Sequence, residues 1–493
     1  MMLFTCDKFC LSRLKYLLER FIILHIMSTE NNKGIKAYIG NKAFYATVLS
    51  VAFPIMIQNG VSNFVSLLDN LMIGSLGTNA ISGVAISNQL MFVYFLLIFG
   101  ATAGVGIFTA QYHGMGDTKG VRFTFRAKLI INIILSVAAI AVLYFFSDPL
   151  IEMFLKGEGA VEDAEETLQI GIKYMDVMLI GLFPIAITNA YAGTLRDTGQ
   201  TKVPMIASII AIFVNLVGNF LLIYGYLGLP AMGATGAAVA TVISRFVEML
   251  VLAVYTSSHS KEHPFIIDAF KGFTVPGKLM SKFMLKSLPL MLNETLWAAG
   301  QTFMNQCYSY RSLNAMAAIN IESTIWGLLG VAFLAMGEAV GILVGQTLGS
   351  GNIEKAKSDA KKFRAFNIVC GAVFGCMMVL ISPLFPMLYN TSDEVRHMAT
   401  MFIIICGGFM PVMAYTHATY FTIRSGGNTL ITFIFDSCYV WMIAVPVAYC
   451  LSRFTNMDVV YMLLIVQSLE IIKGIIGGAM ALSGIWAKNI VKQ

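Results

Sequence analysis

The sequence contains one short phrase twice. Residues 105–117 read VGIFTAQYHGMGD and residues 340–352 read VGILVGQTLGSGN, so six identical residues recur at an offset of 235 (105 to 340). Pro54 and Pro289 keep the same offset, and LRDTGQT at 195–201 matches IRSGGNT at 423–429 at an offset of 228 (195 to 423). A period this long indicates two halves of one fold, not a solenoid.

The two halves are predicted to share one orientation. Each copy of the phrase reads as an apolar helix that ends in glycines, which supply a left-handed cap. A basic stretch follows each copy, and basic loops mark the cytoplasmic side of a membrane protein. The arrangement is that of a parallel repeat, whose axis lies along the membrane normal and whose binding site lies between the halves.

Composition places those halves in a membrane. Hydrophobic residues make up 57% of the chain and charged residues only 12%. Runs such as 130–146 and 204–226 are apolar over a length close to the roughly 20 residues that cross a bilayer. The net charge of +6 does not indicate nucleic acid, because the basic residues lie in loops on one side. Eight cysteines without CxxC spacing are interpreted as core residues.

The fold class predicted is an all-α polytopic membrane protein of twelve transmembrane helices in two six-helix lobes related by a parallel pseudo-two-fold repeat. The lobes are 43–255 and 285–485, joined by a cytoplasmic loop at 256–284 and followed by a cytoplasmic tail at 486–493. The spans are placed near 45–68, 80–111, 128–147, 168–194, 203–226, 234–255, 285–309, 315–346, 366–388, 399–423, 430–451 and 458–482.

Loop charge predicts the orientation. The loops at 112–127, 195–202, 256–284 and 348–365 carry most of the Lys and Arg, which puts both termini in the cytoplasm and the protein in the inner or plasma membrane. Residues 1–42 form a cytoplasmic extension. Within it, residues 1–26 are a poor signal peptide, and Met27 is an alternative start, so we expect 1–26 to be dispensable.

Acidic residues inside the spans are the main candidates for function. A charge at the bilayer centre costs about 2.5–3.5 kcal/mol and faces protein or water. Glu294 and Asp436 have no base nearby in sequence, and an uncompensated carboxylate favours a cation, either a proton or Na⁺. Functional and structural interpretations are evenly balanced for Glu322 and Glu338. Asp69 lies where its helix reaches the membrane edge, so an external loop position remains open.

Other intramembrane acids have a base at i,i+3 and are interpreted as structural ion pairs. These are Lys173 with Asp176, Arg245 with Glu248, and Glu470 with Lys473. Apolar candidates for the wall of an adaptable cavity are Met291, Trp297, Met304 and Tyr308, although packing is the favoured interpretation of each. The sequence has no GxxxxGK[ST], HExxH or GxSxG signature, so neither an enzyme nor a cofactor is expected.

Together these motifs resemble the multidrug and toxic compound extrusion (MATE) transporters, over about residues 43–485. The resemblance rests on FPIMIQN and LLDNLMIGSLG within 53–77, QYHGMGD, LRDTGQTKVPM, FVNLVGNFLLIYG, MGATGAAVATVIS, VGQTLGSGN and IRSGGNT. It implies export of organic, often cationic compounds in exchange for H⁺ or Na⁺. It also places Asp69 in the cavity of the first lobe.

The sequence departs from the family pattern at the acids. Some members carry a second acid four residues after Asn215, where this chain has Asn219. Asn59, Asn215 and Asn219 are expected to line the cavity. Coupling is expected at Asp69, Glu294 and Asp436, with Na⁺, if it is the ion, at Glu294 and Asp436.

The expected partners are small organic molecules, H⁺ or Na⁺ and membrane lipid, with no nucleic acid and no required protein. A flippase for lipid-linked precursors is an alternative function, although it would need unpaired bases in its cavity. A membrane-embedded enzyme is the third alternative, and no nucleophile, base or metal-ligand grouping supports it.

Overall fold

The computed structural model describes residues 34–155 and 161–492, and these residues form helices joined by short loops. The predicted extension at 1–26 and the alternative start at Met27 lie outside the described residues. The first lobe consists of α1 (Lys42–Gly74), α2 (Thr78–Met115), α3 (Thr118–Leu155), α4 (Val161–Asp197), α5 (Lys202–Tyr224) and α6 (Gly233–Ser258).

The second lobe repeats this order. It consists of α7 (Gly277–Ser309), α8 (Leu313–Leu329), α9 (Val331–Gly349), α10 (Ile353–Ile381), α11 (Asp393–Ser425), α12 (Thr429–Phe454) and α13 (Val459–Leu482). Short 3₁₀ turns occur at Ile35–Tyr38, Tyr226–Gly228, Pro264–Ile266 and Phe385–Leu388. The predicted all-α, two-lobe architecture is confirmed.

Eleven helices of the described chain are long and apolar enough to cross a membrane. Helix α7, which contains the predicted seventh span, is not among them. The first part of α7 carries Lys278, Lys282 and Lys286. The predicted eighth span, 315–346, is wrong as a single helix, because its hydrogen-bonded ladder is interrupted at Gly330, between α8 and α9. Glycine is a common site for such an interruption.

Each lobe has its own apolar core. In the first lobe, residues of α2, α4 and α6 such as Met91, Leu182 and Ala238 are fully buried together. In the second lobe, residues of α9 and α11 such as Phe333 and Phe402 have the same role.

The lobes meet near the helix ends that carry the basic loops, which we call the basic face. Here α2 packs against α7 through small residues. A Cβ added at Gly100 would lie 2.6 Å from the Met291 Cα, and one at Gly104 would overlap Ser287. The Ser287 hydroxyl also donates to the Ala101 carbonyl at 3.0 Å. Glycine therefore permits the two backbones to approach closely.

The two copies of the repeated phrase face each other at this interface. Gln111 Nε2 donates to the Ser425 carbonyl at 3.0 Å, and Gln346 Nε2 donates to the Asp197 carbonyl at 2.8 Å. Each glutamine thus binds the end of a helix in the opposite lobe. Because Ser425 is the repeat equivalent of Asp197, the two contacts are related by the same pseudo-symmetry as the sequence. The repeated phrase therefore forms the closure of the basic face.

The last described residues lie across this closure. Ile490 N–H donates to Gln111 Oε1 at 2.8 Å, and Gln111 Nε2 also donates to the Lys488 carbonyl at 3.1 Å. Asn489 Nδ2 donates to the carbonyls of Leu348 and Gly349 at 3.0 and 3.1 Å. The predicted tail at 486–493 is therefore bound, over its described residues, to both copies of the repeated phrase.

The loop between the lobes is held by one arginine. It runs over 259–276, shorter than the predicted 256–284, because α7 begins at Gly277. Arg126 of α3 donates to four of its carbonyls, those of Asp268, Ala269, Lys271 and Thr274, at 2.6–3.1 Å. The loop is therefore fixed to the first lobe.

Substituting a glycine of the repeated phrase is expected to prevent full closure of the basic face. A Cβ at Gly349 would overlap the Gln111 carbonyl, and one at Gly114 would overlap the Gln346 carbonyl. Spin labels on the loops after α4 and α9 should report a longer distance in Gly349→Ala and Gly114→Ala. Gly327→Ala is the matched control, since its Cβ would meet no heavy atom within 4 Å. An unchanged distance in all three variants would contradict this role for the glycines.

Candidate functional site

A chain of polar side chains crosses the second lobe. Tyr420 of α11 donates to Glu294 Oε1 at 3.2 Å, and Asn293 Nδ2 donates to the Tyr420 hydroxyl at 3.3 Å. The same Asn293 amide also donates to Asp436 Oδ2 at 3.0 Å. On its other oxygen, Asp436 accepts from Lys473 Nζ at 2.8 Å. Glu294 and Asp436, which lie 142 positions apart in sequence (294 to 436), are thereby joined.

We call this chain, with Glu470, the acid network (Asn293, Glu294, Tyr420, Asp436, Glu470 and Lys473). Two of its three acids lie near its one base. Lys473 Nζ lies 2.8 Å from Asp436 and 3.7 Å from Glu470. Glu470 also accepts from the Thr416 hydroxyl at 3.2 Å. The Lys473 side chain is 8% exposed. One buried base is therefore set against three carboxylates.

The prediction that Asp436 has no countercharge is wrong. No base lies near it in sequence, but Lys473 reaches it from α13, 37 residues along the chain. The predicted pair of Glu470 with Lys473 does form, at 3.7 Å, but Asp436 holds the lysine more closely. Glu294, in contrast, forms no ion pair within 4.0 Å among the described residues.

Local backbone geometry presents Asp436 to the network. Residues Ile434–Cys438 and Val440–Ala444 of α12 are π-helical, a conformation that is frequent at functional sites. Asn293 fastens this segment to α7, because its Oδ1 accepts from Ser437 N–H at 3.3 Å and from Ser437 Oγ at 2.8 Å. One asparagine thus orients both Asp436 and the turn that carries it.

Asp69 is the predicted coupling acid of the first lobe. It lies within α1, so the alternative of an external loop position is wrong. Asn219 Nδ2 of α5 donates to Asp69 Oδ1 at 2.7 Å. With its amide turned over, Asn215 would donate to both Asp69 oxygens at 3.2 Å and accept from Thr241 Oγ1 at 3.0 Å. Amide groups therefore surround this acid.

The remaining acids lie apart from the acid network. Glu338 of α9 faces the interface between the lobes, with Oε2 3.9 Å from Arg196 Nη1. Glu322 of α8 lies beside Cys406. The predicted pair of Arg245 with Glu248 forms at 2.9 Å. The pair predicted between Lys173 and Asp176 is not among the ion pairs within 4.0 Å in the part of the chain that is described.

The four apolar cavity candidates and the polar candidate Asn59 lie in different environments. Met304 and Tyr308 are buried in the core of the second lobe. Met291 is buried where α7 meets α2. Trp297 is 37% exposed, and Asn59 on α1 is half-buried. The core positions of Met304 and Tyr308 agree with the packing interpretation, and a role in lining a cavity stays a prediction for all five residues.

Sequence reasoning missed Asn293, Tyr420 and the link from Lys473 to Asp436. Asn293 directly precedes Glu294, and its position 235 residues after Gln58 (58 to 293) in the repeat was the available signal. Gln58 is itself polar and buried, and it accepts from Arg196 Nη2 at 2.8 Å. Tyr420 had no such signal, because buried tyrosines are common in membrane helices.

The matches to known proteins cover both lobes. A family model described as MatE matches residues 54–221 and 289–450, one segment in each lobe. The chain belongs to the MATE family of transporters. This confirms the resemblance predicted from the motifs, and it identifies the protein as a multi-pass membrane protein.

MATE family relatives match over most of their length. A probable multidrug resistance protein, NorM, of Thermotoga maritima is 25% identical over 445 residues, which cover 90% of this chain and 93% of NorM. A probable multidrug resistance protein, YoeA, of Bacillus subtilis is 22% identical over 417 residues, covering 82% of this chain and 86% of YoeA.

Solved structures have the same fold. One is described as the outward-facing conformation of a multidrug resistance MATE family transporter of the MOP superfamily. It has a TM-score of 0.78 and 20% identity, and it covers 92% of this chain and 99% of its own. A mutant of the Vibrio cholerae MATE transporter VcmN has a TM-score of 0.79 at 16% identity, covering 92% of this chain and 99% of its own.

Proposed function

We propose that this MATE transporter is a secondary active exporter. It exchanges H⁺ or Na⁺ for hydrophobic or cationic organic compounds by alternating access between its two lobes. Its basic face lies in the cytoplasm, as expected when Lys and Arg concentrate in the cytoplasmic loops. The names of NorM and YoeA, which refer to multidrug resistance, support this substrate class.

The observation that carries the proposal is the excess of acid in the acid network. With Glu294, Asp436 and Glu470 ionised, the six residues of the network, Lys473 included, have a net charge of −2, although the charge of Arg424, outside the network, also acts on Glu294. Like charges that lie close together in a protein interior repel one another more strongly than they would in water. A proton or Na⁺ that enters the network relieves this repulsion, so the cation is bound although one acid already has a base.

The first lobe supplies a second acidic position. Asp69 has no acid beside it in Asn215 or Asn219, which act as amide donors. Neither amide group carries a charge that would compensate the carboxylate. An organic cation is therefore attracted to Asp69 in the cavity, and cation binding in the acid network disfavours drug binding. That coupling is reciprocal by linkage.

Transport requires the lobes to separate at the basic face. The closure combines two kinds of contact. The hydrogen bonds of Gln111 and Gln346 to backbone carbonyls can be exchanged for water at modest net cost, whereas the apolar packing of α1 on α9, through residues such as Val48 and Val340, must be separated. Since each lobe has its own core, opening needs no repacking within a lobe. The described conformation is thus the one in which the cytoplasmic side is shut.

Transport in proteoliposomes tests the proposal. Purified protein is reconstituted, a fluorescent organic cation is added, and a pH gradient or a Na⁺ gradient is imposed in separate experiments. We expect movement of the dye against its gradient with one of the two ions, and loss of that movement when an ionophore collapses the gradient. Dye movement that is independent of both gradients would refute exchange.

A lipid-linked precursor flippase is less well supported. It was expected to need unpaired bases in its cavity, and Arg196 and Arg424 do line a space between the lobes. That space is only about 100 Å³, however, and acids share its wall. In the same vesicles, translocation of a lipid pyrophosphate without movement of the organic cation would favour the flippase.

Asp69→Asn is expected to reduce export at least tenfold without loss of membrane protein. The substitution removes the carboxylate charge from the first-lobe site but keeps a side chain of equal size beside Asn219. Export is measured as dye accumulation in cells at matched protein levels. Asn79→Asp changes a charge at an exposed position near Asp163 and Glu166, and serves as the control. Wild-type export by Asp69→Asn would remove Asp69 from the mechanism.

A further inference from the structure

A cavity of about 100 Å³ lies between the lobes, on the side of the basic face. The first lobe contributes residues of α2 and α4 to its wall, and the second lobe contributes residues of α9 and α11. None of the residues of the acid network lines it. The charged side chains in the wall are Arg196 and Asp197 from the first lobe, and Glu338 and Arg424 from the second.

The charges around this cavity do not balance. Lys128 Nζ lies 2.6 Å from Asp197 Oδ2, so that acid already has its base. Arg196 Nη1 lies 3.9 Å from Glu338 and Arg196 Nη2 donates to Gln58 at 2.8 Å. Three bases therefore face two acids at this wall, and Arg424 is the base that forms no ion pair within 4.0 Å among the described residues. The charge of Glu294, beyond the wall, acts on Arg424 at longer range.

Arg424 is buried without a polar partner. Its residue is 8% exposed, and its Nη1 atom has no hydrogen-bond partner. Within the described chain its guanidinium makes no ion pair within 4.0 Å, and it lies over two rings, 4.9 Å from the Phe421 centroid and 5.9 Å from the Tyr420 centroid. A buried charge without a partner is costly, so the group is expected to meet an anion.

The sequence repeat places one arginine of each lobe at this cavity. Arg196 and Arg424 are equivalent residues of LRDTGQT and IRSGGNT, and both lie in the last turn of a helix. A basic residue there would be explained by attraction to the helix carboxyl end alone. Neither arginine donates to a carbonyl of its own helix end in the described chain, and both side chains line the cavity instead. The repeated motif thus supplies two guanidinium groups to one small space.

We propose that this cavity binds a small oxyanion, a phosphate or a carboxylate, on the guanidinium groups of Arg424 and Arg196. Guanidinium groups present paired N–H donors that match both kinds of anion. Because the site is built from both lobes, a bound anion stabilises the conformation in which the basic face is closed. The cavity volume suits a free anion, while the acyl chains of a phospholipid exceed it.

Binding can be measured on the full-length protein in a neutral detergent, without transport. Sodium phosphate and sodium chloride are titrated at matched ionic strength, and thermal stability is followed. We expect a saturable rise in melting temperature with phosphate only. In Arg424→Gln the phosphate concentration for half the rise should increase at least tenfold. The control, Arg453→Gln, removes an arginine stacked on Tyr310 at 3.6 Å, outside the cavity, and should respond as wild type.

A second variant guards against misfolding of Arg424→Gln. Glu338→Gln removes the acid that competes with phosphate for these bases. The phosphate concentration that gives half of the rise in melting temperature should therefore be lower than in wild type. A short-chain phosphatidic acid that competes with phosphate would assign the anion to a lipid, whereas phosphate binding that it leaves unchanged assigns the site to a free anion. The proposal is overturned if chloride reproduces the effect, or if Arg424→Gln and Glu338→Gln bind phosphate as wild type does.

Discussion

Asp436→Asn is expected to abolish ion-coupled export while leaving a folded protein in the membrane. The substitution lowers the net charge of the acid network from −2 to −1, which removes much of its attraction for a cation. Lys473 keeps Glu470 at 3.7 Å, so the buried base is not left alone. We expect at least a tenfold loss of gradient-driven dye transport in proteoliposomes. Asp393→Asn, which alters an acid exposed to solvent and paired with Arg396, should transport as wild type.

Charge can be separated from shape within the same network. Asp436→Glu keeps the charge and should retain part of the transport, whereas Glu294→Gln should lose it as Asp436→Asn does. Since Asn293 and Tyr420 join the two acids, the double variant should lose little more than either single variant. Gradient-dependent transport at the wild-type rate in Asp436→Asn and in Glu294→Gln would exclude the network from coupling.

The repeat was the part of the sequence that predicted most of the fold. The equal offsets of Gly114 with Gly349 and of Gln111 with Gln346 indicated two lobes of one orientation. In the structure, Gly114 lies against the Gln346 backbone and Gly349 lies against the Gln111 backbone. The sequence did not indicate that they touch. A repeat gives equivalence between lobes, but contact across a pseudo-two-fold axis depends on how closely the lobes approach.

The acids show a different limit. Glu294 and Asp436 could be selected because membrane burial makes every intramembrane charge conspicuous. Their partners could not, since i,i+3 spacing reports only neighbours on one helix. Lys473 was therefore assigned to Glu470, although its closer contact is with Asp436 on another helix. Lys128 and Asp197 were missed for a related reason: each lies where a span was predicted to meet a loop.

Lys128→Met is expected to destabilise the protein by about 3–5 kcal/mol, the usual cost of removing one partner from a buried ion pair. The Lys128 side chain is 0% exposed, and its Nζ lies 2.6 Å from Asp197 Oδ2. Gly106 packs against this carboxylate, because a Cβ there would lie 2.8 Å from Asp197 Oδ2. Titration with a denaturing detergent in mixed micelles gives the free energy of unfolding.

The matched control removes a lysine from a pair in solvent. Lys271 lies 2.9 Å from Asp268, but its side chain is 86% exposed, so Lys271→Met should leave the free energy of unfolding close to that of wild type. The double variant Lys128→Met/Asp197→Asn removes the orphaned charge as well, and should be more stable than Lys128→Met alone. If Lys128→Met were as stable as Lys271→Met, the buried pair would not hold α3 to α4. If the double variant were the least stable, the cost would come from packing and not from charge.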